Sequence, residues 1–507
     1  MQFSITDWFI VCGYVLLVTI IGSLFYRRGA SASQYFLGGR TMRSLPVAIS
    51  LVAADISAVS YVGCPAWSYA HNLELFWAVP TALLVAPIVM YVFMPFYSRF
   101  KFFTAYEYLE RRFDLKTRVV GSAIFLLIRG SHAAVVIYAP SLVLSLITGM
   151  HLSTCVLIMG VFTTVYTTLG GMKAVIWTDV MQFSILMLGI VMIFWMSLAR
   201  IPGGVFTVYQ VASEAGRLKF FNFSFDPHEL TSFWAMTIGG GVLVLSVLAT
   251  DQAYLQRYFT TRSLTESRQA LLLDALILIP IGLLQYLMGT VLFVYYRLHS
   301  DRLSSLPMMD ALVPFFVLHE LNGVFSGLVI ASIFGASMAV MSASINALTT
   351  ATTVDFYQRL FRPGRPESHY VLVGRLGTLC WGAAATFAAL FVNRLGPIVN
   401  AFNIINSFLA GPILGIFLLG MLTQKGKGTG AVFGGALGFA AVSLVAWRSP
   451  ISFFYYALIG TVVTYITGYL LSLAGPRRDR AELYGLVWSL EAPAGTIAPS
   501  NPASNAS

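Results

Sequence analysis

Long apolar runs alternate with short polar, basic or Gly/Pro-bearing stretches along nearly the whole chain. A run of about 20 mostly apolar residues crosses the hydrocarbon of a bilayer as a helix. By that criterion the pattern predicts thirteen spanning segments, at about 7–26, 45–70, 74–97, 119–148, 153–170, 174–199, 232–253, 271–296, 322–350, 370–392, 395–421, 429–447 and 451–475. Several exceed the minimum because helices tilt and continue beyond the lipid. The least defined boundaries are the gap after Gly170-Gly171 and the break near Asn393. The first run has no basic residue before it, and Ser23-Leu24-Phe25-Tyr26 is no small-residue cleavage site, so a span is expected rather than a signal peptide. The expected class is an all-α polytopic membrane protein. Residues 1–480 form one domain, and 481–507, rich in Ala, Pro and Ser, form a tail expected to be disordered.

Composition sharpens this. Hydrophobic residues make up 57% and charged residues 10%, against about 25% charged in soluble chains, which excludes a soluble multidomain protein. The net charge of +10 would suggest nucleic acid in a soluble protein. Here it points to loops held against an anionic leaflet. With the N-terminus outside, the odd-numbered loops and the C-terminal tail carry 22 of the 31 Lys and Arg residues, and the even loops carry 7. This predicts an external N-terminus and a cytoplasmic C-terminus in the plasma membrane. Twelve spans would place Arg477-Arg478-Asp479-Arg480 outside, so an odd number is expected. The four cysteines all fall in or beside spans, with no pair flanking an external loop. The sequence has no metal-ligand cluster, P-loop or GxSxG element, so an enzyme is not expected.

Two segments carry helix breakers at membrane depth. Segment 2 contains Ala53-Ala54-Asp55-Ile56-Ser57-Ala58-Val59-Ser60 and then Gly63-Cys64-Pro65; segment 7 contains Gly239-Gly240-Gly241 and then Asp251-Gln252. Transporters built from internal repeats place substrate and ion sites where helices unwind near the midplane. Breaks five segments apart fit two five-helix repeats, segments 2–6 (about 45–199) and 7–11 (about 232–421). Gly and Pro are also common in ordinary membrane helices. Ionisable residues inside spans are functional candidates by default, since each costs about 2.5–3.5 kcal/mol even on insertion scales. Asp55, Asp179, Arg129 and His132 meet that description. Arg129 and His132, at i and i+3, share a helix face; the alternatives for them are a structural ion pair and a satisfied interior histidine. Asp55, beside freed carbonyls, suits a hard-oxygen cation site. Asp179 either shares such a role or caps a helix.

These residues sit among blocks that resemble the sodium:solute symporter family, over roughly residues 5–475. The blocks are Gly170-Gly171-Met172-Lys173-Ala174-Val175-Ile176-Trp177-Thr178-Asp179-Val180-Met181-Gln182, Val135-Val136-Ile137-Tyr138-Ala139-Pro140-Ser141-Leu142 with Thr148-Gly149, Asp251-Gln252 with Gln256-Arg257-Tyr258, Ile345-Asn346-Ala347-Leu348 with Asp355-Phe356-Tyr357, and Gly411-Pro412-Ile413-Leu414-Gly415. The resemblance implies a LeuT-type inverted-repeat fold and a carrier of small solutes. It is nearest the branch of vitamin, iodide, monocarboxylate and sialic acid carriers.

By position, the resemblance implies a principal sodium site from the carbonyls of Ala53, Ile56 and Ala336 and from side chains at Ala339 and Val340. It implies a second site from Asp179, Ser342 and position 343. The chain departs from the pattern, because Ala339, Val340 and Ala343 offer no side-chain oxygen. Sodium desolvation is costly and carbonyls alone compensate it poorly. Three readings stay open: Asp55 supplies the missing ligand, a proton replaces sodium, or transport is uncoupled. The implied substrate pocket draws on Ser57, Ser60, Phe76, Trp77, Val79, Arg129, His132 and Asn400. Sialic acid members have arginine where this chain has His132. The expectation is import of a small polar or anionic organic solute, with sodium as coupling ion, no other cofactor, and lipid but no nucleic acid as partner. A non-transporting membrane sensor on the same fold is the reading from another class.

Overall fold

The computed structural model describes residues 5–25, 31–100, 102–303, 309–321, 323–392, 398–474 and 479–490, with side chains left undescribed at Leu169 and 398–405. Among these residues the chain is helical, and nine helices are long and apolar enough to cross a membrane. Two further spans are bent pairs: Ser44–Asp55 with Ala58–Ala70, at 61°, and Ala235–Thr250 with Gln252–Thr260, at 51°. Two shorter apolar helices, Leu152–Thr168 and Asn406–Leu422, complete the correspondence with the thirteen segments. The bends fall at Asp55–Ser57 and at Asp251, whereas Gly63-Cys64-Pro65 and Gly239-Gly240-Gly241, also expected as breakers, lie within helices.

Local chemistry sets the helix ends. Segment 4 (Leu115–Thr148) begins at Asp114, whose carboxylate accepts from the Thr117 amide at 2.8 Å, and stops at Gly149 in the left-handed region. Segment 8 (Leu264–Leu298) begins at Ser263, whose hydroxyl accepts from the Glu266 amide. Segments 5 and 6 follow one another over Leu152–Leu198 as two helices meeting at a kink at Gly171. That residue has φ 62° and ψ −168°, a conformation nearly restricted to glycine.

Segment 7 runs past its expected end at 253. Its second half, Gln252–Thr260, is wholly buried because its polar side chains find partners inside the bundle. Arg257, counted from sequence among the loop cations, is therefore an interior residue. Other arginines of the basic end also hold the fold. Arg112, fully buried, donates to the carbonyls of Gly420, Thr423 and Gly426 where segment 11 ends. Arg118 binds Asp355 and Glu110, both at 2.7 Å. Part of the expected tail, residues 481–490, packs on the bundle. Leu483 and Val487 are buried, and the Trp488 amide donates to the Met421 carbonyl, because apolar side chains here cover the end of segment 11. Residues 491–507 lie outside the described residues.

Segment 9 (Val324–Ala351) is the central helix, buried at every residue from Val329 to Ala351. Segments 1, 2, 4 and 6 pack around it.

A Cβ at Gly171 would lie 2.7 Å from the Tyr35 carbonyl oxygen. Gly171→Ala therefore adds a steric conflict to a strained φ and is expected to cost about 1–3 kcal/mol. The check is thermal unfolding of the purified protein, where an unchanged midpoint would contradict the geometry.

Candidate functional site

The break in segment 2 is held open by hydrogen bonds that replace helical ones. An unbroken helix would direct the Ser57 and Ala58 amides to the carbonyls of Ala53 and Ala54. Instead the Ser57 amide donates to Ser60 Oγ at 3.1 Å, and the Ala58 amide donates to Ser337 Oγ of segment 9 at 3.3 Å. Ser57 Oγ in turn accepts from the Val59 amide, capping the second half-helix. The carbonyls of Ala53 and Ala54 thus lose their helical donors beside the Asp55 carboxylate. Ile56 bridges the halves in extended conformation.

The break in segment 7 centres on Asp251. Its Oδ1 accepts from the Ala253 amide, capping Gln252–Thr260, and its Oδ2 accepts from Arg129 Nε at 2.7 Å. Arg129 Nη1 lies 2.7 Å from His132 Nδ1. A guanidinium only donates, so Nδ1 is the acceptor and the ring proton belongs on Nε2. Arg129 also stacks 5.5 Å from the Tyr254 ring, and Tyr254 Oη donates to Asp55 Oδ1. One continuous set of contacts therefore ties the two breaks together through segment 4.

Asp179 is fully buried inside segment 6. Its Oδ2 accepts from Arg257 Nη2 at 2.8 Å and from Ser50 Oγ at 2.5 Å. Oδ1 has no partner among the described residues. Ser342 Oγ donates to the Ala339 carbonyl of its own helix. Ala336, Ala339 and Val340 are each 1% exposed, an apolar stripe facing the core.

The substrate candidates fall into groups. Asp55, Ser57 and Ser60 share the first break; Arg129 and His132 meet the second. Phe76 and Trp77 sit with segments 7 and 8. Phe76 contacts Phe220 and Tyr286 edge-on, and Trp77 Nε1 donates to Thr237 Oγ1 at 2.7 Å. Val79 packs against Gly282. Asn400 lies outside the described side chains. A small cleft of about 20 Å³ between segments 2 and 4 is lined by Val59, Val62, Ala139, Leu142, Val143 and Leu146, with Asp310 beside them. Among the described residues no group of three or more His, Cys, Asp or Glu is placed to hold a metal ion.

Sequence reasoning did not find Tyr254, Ser337 or Asp274 as site residues, nor the partners of Asp251 and Arg257. Asp274 carried a usable signal, an acid alone in the run Leu271-Leu272-Leu273-Asp274-Ala275-Leu276. The pairings join residues 78 to 199 positions apart, and one sequence gives no sign of them.

Residues 35–438 match the model of the sodium:solute symporter family. The chain is 28% identical to the sodium/sialic acid symporter NanT of Aliivibrio fischeri, over 92% of this chain and 93% of that one. It is 32% identical to the sodium-coupled monocarboxylate transporter 2 of Danio rerio, over 90% and 73% respectively. The structure is similar to that of a Na+-coupled sialic acid symporter in a substrate-bound outward-open state, with a TM-score of 0.88 and 26% identity, covering 94% of this chain and 99% of that one. The fold is thus LeuT-like, as the paired breaks imply.

Removing one partner of a buried ion pair leaves an uncompensated charge, at about 3–5 kcal/mol. Asp251→Ala is expected to lower the melting temperature strongly, and adding Arg129→Met should recover part of the loss. A double variant no more stable than Asp251→Ala alone would show that the pair is not coupled.

Proposed function

Because the chain belongs to the sodium:solute symporter family, we propose that it is a secondary active transporter importing a small polar or anionic organic solute. The observation that carries this reading is the pair of bent spans, five segments apart, linked through Asp55–Tyr254 and Arg129–Asp251. Two broken helices meeting at depth supply what a carrier needs, polar backbone exposed only where it lines a site.

An anionic substrate fits two features. The relatives named above carry sialic acid and monocarboxylates. The second half of segment 2 also points its N-terminal end, with Ser57 and Ser60, toward the break, where the helix dipole favours negative charge. Arg129 is committed to Asp251, so its role is to position His132 and the second break. The outward N-terminus and cytoplasmic C-terminus follow from the distribution of basic loops.

Sodium is the proposed coupling ion, held at the first break by Asp55 and carbonyls rather than by segment 9 hydroxyls. Ala339 and Val340 favour a second reading, a proton-coupled or uncoupled carrier.

Uptake of carboxylate solutes into proteoliposomes, with sodium and proton gradients imposed separately, tests this. Sodium-driven accumulation is expected, and Asp55→Asn should abolish the sodium dependence. Uptake indifferent to sodium would contradict the coupling, and absence of saturable uptake would contradict transport.

A further inference from the structure

Four carboxylates, Asp55, Asp179, Asp251 and Asp274, and two guanidiniums, Arg129 and Arg257, gather around the second half of segment 7. Two of the carboxylates are matched, Asp251 with Arg129 and Asp179 with Arg257. Asp55 and Asp274 are left. Asp55 receives the Tyr254 hydroxyl and keeps partial exposure. Asp274, on segment 8, is 1% exposed, and its Oδ1 has no partner among the described residues. Tyr258, 3% exposed, likewise has an unpartnered hydroxyl.

Helix register brings these groups to one level. Segment 8 runs alongside segment 2, pinned near one end by the Ser44 amide donating to Glu266 Oε2 at 2.5 Å and near the other by Ser68 Oγ donating to the Tyr286 carbonyl at 2.6 Å. At about 1.5 Å per residue, Asp274 stands about 12 Å beyond Glu266, and Ala53 about 13.5 Å beyond Ser44. Asp274 thus stands level with the last turn before the break, where the carbonyls of Ala53 and Ala54 have lost their donors. Asp274 lies within the field of Asp55, and Tyr258 within the field of both. Two buried carboxylates in one another's field are relieved either by a proton or by a cation held between them.

We propose that Asp55 and Asp274 form the two carboxylate sides of one sodium site, completed by the freed carbonyls of segment 2 and the Tyr258 hydroxyl. This set of hard oxygens takes the place of the hydroxyls that segment 9 lacks. The site rests on the reading of the chain as sodium-coupled, but it is tested by binding, without solute.

The full-length protein, purified in detergent, is melted across a sodium chloride series with choline chloride keeping ionic strength constant. The wild type is expected to show saturable stabilisation by sodium. Asp274→Asn should weaken the apparent sodium affinity about tenfold or more, as loss of a direct ligand does, and Asp274→Glu should stay nearer the wild type. Tyr258→Phe, which removes the hydroxyl at constant shape, should weaken affinity without changing the melting point in choline, and it decides the matter if Asp274→Asn does not fold. Wild-type sodium affinity in Asp274→Asn, or in Tyr258→Phe when that variant must serve alone, would overturn the site. So would stabilisation by acidification with no response to sodium. Sodium binding that depends on Asp274 without uptake of any solute would contradict the transport reading and leave the site standing.

Discussion

Inside a bilayer every backbone amide and carbonyl must be satisfied by the protein itself, and an interrupted helix leaves several of them to account for. In segment 2 the account closes through two serines. Ser60 takes the Ser57 amide, and Ser337, reaching across from segment 9, takes the Ala58 amide. Without these acceptors the amides would return to the carbonyls of Ala53 and Ala54, and the helix would close over the site. The burial of segment 9 follows from the same need. A rigid central helix fixes Ser337 where the break requires it, and Tyr61 meets Ser332 of that helix at 2.8 Å one turn along.

Charge adds a second layer. The half-helix Gln252–Thr260 is a hub: Tyr254 reaches segment 2, Arg257 reaches segments 2 and 6, and Asp251, at its cap, reaches segment 4. Buried ion pairs add little net stability, because desolvation offsets much of their attraction. Their effect here is on arrangement. Each pair permits one register between the helices it joins. Arg118 with Asp355 and Glu110, and Arg112 on the end of segment 11, do the same at the basic end. Much of the charge that marks the topology therefore also holds the helices together.

The spans and both breaks were legible in the sequence, because apolar length and the polar interruptions at Asp55–Ser57 and Asp251 are local signals, whereas Gly63-Cys64-Pro65 and Gly239-Gly240-Gly241 marked no break. Asp55, Asp179, Arg129 and His132 stood out for the same reason, being charge where composition excludes it. Partners were not legible. Nothing near Arg129 in the chain points to Asp251, and nothing near Asp179 points to Arg257. Gln252, Gln256 and Arg257 look like a loop until their partners are known, so the sequence alone ends segment 7 at 253. The alanines and valine at 336, 339, 340 and 343 showed what segment 9 lacks. That Asp274 stands level with the break is visible only through the register of segment 8.

The proposed coupling requires an ion held at the first break by carboxylates rather than at segment 9. Cryo-electron microscopy of the protein in sodium and in choline tests this most directly. The prediction is a density, present only in sodium, bounded by Asp55, Asp274 and the Ala53 and Ala54 carbonyls. A sodium-dependent density lying instead against the Ala336–Val340 stripe, or a segment 2 that closes into an unbroken helix, would contradict it.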